Sequence, residues 1–107
     1  MDHRLNMRIP LELPVELWTA DGVISGTTVD ISFEGMRVHL DADPSLPAGT
    51  VQVCFEPNAV GVTLTAVAVR QAGLDLGLMF GRYDEPAEAY LEDRISEALD
   101  RSGTRRA

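Results

Sequence analysis

The chain has 107 residues, which is the length of one domain with a single core. Apolar residues make up 45% of it and charged residues 24%, as in ordinary globular domains, so disorder over most of the chain is excluded. The formal net charge of −8 argues against a general nucleic-acid binder and against docking on anionic lipid. One cysteine, Cys54, excludes an intramolecular disulfide and a cysteine-rich zinc site.

The sequence gives no sign of secretion or of a membrane span. No apolar run of signal-peptide type follows the polar N-terminus, and the longest apolar stretch, 60–69, is too short to cross a bilayer. We therefore expect a cytoplasmic protein without direct membrane insertion. All nine basic residues are arginine, which fits either a compositional bias or a need for planar, bidentate anion contacts.

Residues 1–12 are predicted to form an irregular arm that bears arginines, and 13–82 to form the β-strand part of the domain. Alternating or β-branched segments separated by turn residues predict six short strands, at 13–19, 23–31, 36–40, 50–55, 62–70 and 76–80. Asp21-Gly22 is a two-residue hairpin signal, and Gly26 within the second strand suggests a bulge or a sharp bend. A tight turn is predicted at 32–35, where Gly35 tolerates a positive φ.

The inward side of these strands follows from their alternation. Met36, Val38 and Leu40 are expected to point into the core, with Arg37 and His39 on the opposite face. The same pattern places Val51, Val53 and Phe55 inward in the fourth strand. Segment 62–70 has apolar residues at both parities, which predicts a strand covered on both faces.

A helix is predicted over 83–103, with a frayed tail at 104–107. Its apolar positions recur with helical spacing, at Ala87, Leu91, Ile95 and Ala98 or Leu99. Asp84 or Glu85 can cap its start, and Gly103 can end it. Six strands and a terminal helix indicate a mainly β domain, either a small antiparallel barrel or a sandwich.

Two local patterns carry candidate chemistry. Arg4 and Arg8 lie four residues apart just before the first strand, and Asp30-x-Ser32-x-x-Gly35 spans the end of the second strand and its turn. Together they resemble the RxxxR and (D/N)xSxxG motifs of the PilZ domain family. The resemblance covers about residues 3–82 and includes a closing strand at 76–80.

The resemblance implies a six-stranded antiparallel barrel with a C-terminal helix that binds cyclic di-GMP, a bacterial second messenger, and needs no cofactor. It makes Arg4 and Arg8 the ligands on the arm, and Asp30, Ser32 and Gly35 the pocket on the barrel. Residue chemistry agrees with these roles. Arginine grips a phosphate or guanine O6 and N7 bidentately, and an ionised aspartate accepts from the N1–H and N2–H₂ edge of guanine.

One position departs from the family pattern. Many members carry a further arginine directly before the first motif arginine, where this chain has His3. A histidine is mostly neutral at pH 7, so the strength of phosphate binding and the ligand stoichiometry are open. His3 is kept as a possible ligand residue.

Several residues have a structural interpretation beside the functional one. Asp30 and Ser32 are also typical of a turn that bonds its own backbone. Arg37 and His39 are expected at the solvent or the barrel rim, Trp18 in the core or at the rim, and Cys54 as a partly buried structural thiol. The acidic residues of the helix are expected to form a solvated face. His3 and His39 lack the spacing of a metal pair.

The favoured hypothesis is a receptor, not an enzyme. Cyclic di-GMP would order the arm on the barrel and change the contact with a protein effector. The alternative is a PilZ-like protein-interaction module that does not bind nucleotide. A small hydrolase or a single-strand nucleic-acid binder is disfavoured by the charge, the few aromatics and the lack of a catalytic constellation.

Overall fold

The computed structural model describes residues 7–42 and 49–102. Arg4 and His3 therefore lie outside the described residues, as do Gly103 and the tail. The described part contains seven strands and one helix, α1 (Glu85–Ser102). The strands are β1 (Ile9–Pro10), β2 (Pro14–Thr19), β3 (Gly22–Ile31), β4 (Gly35–Leu40), β5 (Thr50–Phe55), β6 (Val62–Ala72) and β7 (Asp75–Phe80).

Six of the strands, β2 to β7, form a closed antiparallel barrel. The neighbours run β3-β2-β5-β6-β7-β4, and pairing between β4 and β3 closes the circle. Closure removes the free strand edges on which another chain could pair. The predicted fold class, a mainly β six-stranded barrel with a C-terminal helix, is confirmed.

The short β1 strand was not predicted. It pairs with the last residues of β3, Ile9 opposite Ile31 and Pro10 opposite Asp30. The pattern at 1–12 indicated only an irregular arm, because two residues are too few to show a periodicity. This pairing places the end of the arm beside the second motif.

Two turn details differ from the sequence prediction. The β2–β3 hairpin loop is Ala20–Asp21, because Thr19 pairs with Gly22, so Gly22 is the first residue of β3. Gly26 does not mark a bulge: it pairs regularly with Val15 on one side and Leu40 on the other. Its lack of a side chain serves close packing instead, since a Cβ there would lie 2.8 Å from the His39 carbonyl oxygen.

The alternation of β4 and β5 is confirmed, with Met36, Val38 and Leu40 fully buried. The prediction that segment 62–70 is covered on both faces is wrong. Leu64 and Ala66 are buried, but Val67 and Val69 are exposed on the outer face of β6. Cys54 is buried, and burial together with nearby Glu16 raises the pKa of its thiol.

Helix α1 begins as predicted, with the Asp84 carboxylate accepting a hydrogen bond of 3.1 Å from the Ala87 N–H. Its buried stripe joins the barrel core and consists of Ala87, Tyr90, Leu91, Ile95 and Ala98. Tyr90 was not predicted, because tyrosine is equally at home on a surface. Its ring lies 5.3 Å from that of Phe55, between ring centroids. The acidic residues 84, 85, 88, 92 and 93 are exposed, as predicted.

A partly buried polar cluster fastens the helix to the barrel. Glu56, just after β5, accepts hydrogen bonds from the Tyr90 hydroxyl at 2.5 Å and from Arg94 Nε at 2.9 Å. Burial of Glu56 opposes its ionisation, but the hydrogen bonds from Tyr90 and Arg94 outweigh burial and hold the pKa of the carboxyl below its ordinary value. The ionised cluster therefore stabilises the fold.

The substitution Glu56→Gln tests this cluster. It should lower the free energy of unfolding by about 1–3 kcal/mol near neutral pH, because the charged acceptor of two hydrogen bonds is lost. A lowered folded pKa stabilises above the ordinary value of 4.5, and this contribution disappears as the pH falls through the folded pKa. Urea titrations at a series of pH values measure the difference.

Glu97→Gln is the matched control, since Glu97 bonds the same arginine but is 50% exposed. It should cost less than about 1 kcal/mol. A parent and a Glu56→Gln variant that stay equally far apart in stability from neutral pH down to strongly acidic pH would contradict the role given to the carboxylate.

Candidate ligand-binding site

The two motifs are joined by an ion pair. Arg8 Nη1 lies 2.7 Å from Asp30 Oδ1, although the residues are 22 positions apart in sequence. The Arg8 side chain is 52% exposed and that of Asp30 is 17% exposed, so the pair lies at the barrel surface. Asp30 belongs to the β1–β3 pairing and Arg8 directly precedes it, so this pairing holds the arm and the strand end together.

The chain that follows Arg8 is fixed by Thr28, a buried polar residue of β3. Its hydroxyl donates to the Leu11 carbonyl and accepts a hydrogen bond of 2.8 Å from the Leu13 N–H. Backbone bonds between Leu13 and Thr28 and between Leu11 and Val29 add to this anchor. Sequence reasoning missed Thr28, since a threonine in a strand carries no functional signal.

Ser32 organises the turn between β3 and β4. Its hydroxyl accepts hydrogen bonds from the backbone N–H groups of Glu34 and Gly35, at 3.1 and 3.2 Å, and donates to the Gly35 carbonyl. One donor and two lone pairs are all that a hydroxyl has, so its capacity is used within the turn. Of the roles open from the sequence, this geometry supports the turn more than a ligand contact.

A glycine is needed at position 35 because β4 and β7 lie very close together there, and not because of a positive φ. It does not adopt the left-handed conformation that Gly22, Gly49, Gly61 and Gly73 adopt. A Cβ at Gly35 would instead lie 2.3 Å from the Leu78 carbonyl oxygen. The glycine thus lets β4 enter the barrel against β7, where it pairs with Met79.

Two adjoining cavities lie at the motif residues. One, of about 350 Å³, is lined by Arg8, Asp30, Met36, Arg37, Val69, Arg70 and Gly77. The other, of about 250 Å³, shares Arg8 and Val69 and reaches Ser32, Glu34 and Gly35. Ligand sites are commonly about 300–1,000 Å³. Arg37 and Arg70 were not among the predicted site residues, because only the strand pairing brings them here.

A larger cavity, of about 620 Å³, lies between the segment after β1 and helix α1. Its main polar groups are already partnered, since Arg94 binds Glu56 and Glu97. These bonds fasten the helix to the barrel, and the lining of this cavity includes none of Arg8, Asp30, Ser32 and Gly35. We therefore place the candidate site at the two smaller cavities.

Other residues considered in the sequence lie apart from these cavities. His39 is exposed and its Nδ1 lies 3.1 Å from Asp75 Oδ1, while Trp18 is exposed and its Nε1–H donates to Glu16. Within 7–42 and 49–102, no group of three or more histidine, cysteine or acidic side chains is arranged to hold a metal ion. Helix α1, the only helix in the described ranges, does not combine the length and the apolar character needed to cross a bilayer.

Fold and site together define a small β-barrel domain with a surface pocket built from arginines and one carboxylate. The family model for the PilZ domain matches residues 2–97, and the chain belongs to this family. PilZ domains are regulatory binding modules. No curated protein matches the chain.

The fold is also found in solved structures. The chain resembles the PilZ domain of CeSA from a cellulose-synthesizing bacterium, with a TM-score of 0.62 and 24% identity over 88% of this chain and 98% of that one. It also resembles an uncharacterized protein of Legionella, with a TM-score of 0.53 and 17% identity over 92% of this chain and 99% of the other.

The substitution Gly35→Ala tests the close approach. The added Cβ meets a backbone oxygen that cannot move without parting β4 from β7, so we expect a loss of about 2–3 kcal/mol in stability. This corresponds to a fall of roughly 8–20 °C in melting temperature. Differential scanning calorimetry measures it.

Gly77→Ala is the control, because a Cβ at Gly77 would find only ordinary contacts, the nearest at 3.5 Å. The melting temperature of that variant should stay close to the parent's. Equal melting temperatures for the two alanine variants would show that the Gly35 contact does not constrain the barrel.

Proposed function

We propose that this PilZ domain is a cyclic di-GMP receptor, and that the ligand binds across the arm and the barrel surface at Arg8 and Asp30. The observation that carries the proposal is the 2.7 Å ion pair between these residues, which joins two motifs far apart in sequence. The protein acts as a binding module in the cytoplasm and performs no chemical step.

The ion pair suggests how the free site is maintained. With no ligand bound, the Arg8 guanidinium and the Asp30 carboxylate form an ion pair, so each charge is compensated by the other. Cyclic di-GMP offers both groups better partners. A phosphate replaces the carboxylate on Arg8, and the N1–H and N2–H₂ edge of guanine replaces the guanidinium on Asp30. Binding is thus an exchange of charge-assisted contacts.

Arg4 lies outside the described residues, and its part in binding comes from the family motif. Placed four residues before Arg8, it would supply a second planar fork for the same dianion. His3 would add a positive charge only when protonated. The turn at 32–35 supports the pocket by holding its backbone close to Arg8.

The output of binding would be a changed surface for a protein effector. A ligand that bridges the arm and the barrel changes the surface that both offer to a protein partner. This is a switch in which ligand binding orders a segment of the chain. Residues beyond the two motifs decide which effector responds.

Arg8→Ala should weaken binding of cyclic di-GMP about 10- to 150-fold, because a charge-assisted contact worth roughly 1.5–3 kcal/mol is lost. Arg4→Ala should have a similar effect. Isothermal titration calorimetry of the parent and both variants, with GTP as a control ligand, measures this. Arg101→Ala removes the same charge at the end of α1 and should bind as the parent does.

Near-parental affinity in both motif variants would contradict the arm mechanism. A parent protein that releases no heat and whose melting temperature is unchanged by excess ligand would favour the other hypothesis, a PilZ-like interaction module that binds no nucleotide. The next step would then be to identify its protein partner.

Asp30→Ala should reduce selectivity for guanine. Adenine has no N1–H or 2-amino donor, so an ionised Asp30 favours cyclic di-GMP over cyclic di-AMP in the parent. The ratio of the two affinities should fall about 10-fold or more in the variant. Asp75→Ala, which removes an exposed aspartate paired with His39, is the control. An unchanged ratio in Asp30→Ala would show that another group reads the base.

A further inference from the structure

We infer that Arg37 and Arg70 are additional ligand-binding residues of the same site, gripping the phosphodiester groups from the barrel wall on either side of Gly77. The inference rests on the proposed function. It assigns a role to two arginines outside both sequence motifs. The positive charge of the site then comes from the barrel as well as from the arm.

The strand register carries the inference. Asp30 in β3 pairs with Arg37 in β4, Arg37 pairs with Gly77 in β7, and Arg70 in β6 pairs with the same Gly77. Directly paired residues lie on the same face of a sheet. Their neighbours Met36, Leu76 and Leu78 are buried, so this row of four residues faces outward.

Two irregularities in the ladder set this alignment. The register of β3 against β4 shifts between Thr28 and Asp30, and that of β6 against β7 shifts between Ala68 and Arg70. Such bulges re-aim side chains and are frequent beside functional sites. Here each shift comes immediately before a charged member of the row.

Gly77 keeps the middle of the row open. Neighbouring strands are about 4.8 Å apart, so the backbones at Arg37 and Arg70 are separated by about 10 Å with no side chain between them. This gap is part of the 350 Å³ cavity, which also has Arg8 and Asp30 in its lining. A planar or anionic group can therefore rest over Gly77 within reach of both guanidinium groups.

The charge of the cavity fits a dianion. Its lining holds three arginines and one carboxylate, an excess of two positive charges, whereas the chain as a whole carries −8. Asp30 is shared, with Arg8 at 2.7 Å and Arg37 at the longer distance of 3.5 Å. Within the described ranges, no carboxylate lies within ion-pair distance of Arg70.

Arg37 and Arg70 are thus available for a ligand. Arg37 is 56% exposed, and a long ion pair at such a surface contributes little to stability. Cyclic di-GMP has two phosphates, which match the excess charge. Many family members carry an arginine at the position of His3. The two barrel arginines supply the positive charge that is missing there.

Calorimetric titration of cyclic di-GMP into Arg37→Ala, Arg70→Ala and the double variant tests the inference. Each single variant should bind about 10-fold more weakly than the parent, and the double variant about 100-fold. Arg70→Lys, which keeps the charge but not the planar fork, should bind with intermediate affinity. Arg101→Ala is the charge-matched control and should bind as the parent does.

Gly77→Val is an independent test that leaves every charge in place. Its Cβ has room, at 3.5 Å from the Arg70 Cβ, and valine suits a strand, so the melting temperature should not fall. The isopropyl group fills the gap between the arginines, so affinity should drop about 10-fold.

The outcomes separate this inference from the proposed function. If the parent binds and Arg8→Ala does not, while Arg37→Ala, Arg70→Ala and Gly77→Val all bind within twofold of the parent, the barrel arginines have no role and the proposed function stands. If the parent itself does not bind cyclic di-GMP, both are overturned.

Discussion

The barrel depends on how β4 closes it. This strand pairs with β3 on one side and β7 on the other, and it begins at Gly35, which lies against the Leu78 carbonyl with no room for a side chain. Ser32 shapes the turn just before it, and Phe80 N–H and Tyr83 hydroxyl bond the carbonyls of Glu34 and Phe33 from the other side. The primary role of the second motif is therefore to let β4 close the barrel, and the surface pocket lies where β4 does so.

Closure of the barrel also determines where charged side chains come together. Across the chain acidic residues exceed basic ones, yet the outward row from β3 to β6 brings two arginines and one aspartate together, and the β1 pairing adds Arg8. Such a local cluster acts at short range, where it prevails over a net charge that is screened beyond about 8–10 Å at physiological salt. The net negative charge of the chain is therefore compatible with a local excess of positive charge at this surface.

The helix is fastened by a separate set of contacts. Its apolar stripe enters the barrel core, and Glu56 binds Tyr90 and Arg94 at the edge of that interface. Arg94, on this side, is used within the protein, where it pairs with Glu56 and Glu97. The two faces of the domain thus differ, since an arginine fastens the helix on this face, whereas Arg8, Arg37 and Arg70 surround one carboxylate on the other.

The sequence patterns by themselves determined that the domain is mainly β, five of the six barrel strands nearly to their ends, the turn at 32–35 and the helix start, because alternation, turn residues and caps are local properties. The choice of a barrel over a sandwich came from the resemblance to the PilZ family. It also pointed to Arg8, Asp30, Ser32 and Gly35 through spacing. Only the tertiary structure decided that β1 pairs with β3, that β6 is exposed on its outer face, and that Arg37 and Arg70 line the cavity. These follow from strand register and from two bulges, which depend on pairings between distant segments and leave no periodic signal in any one of them.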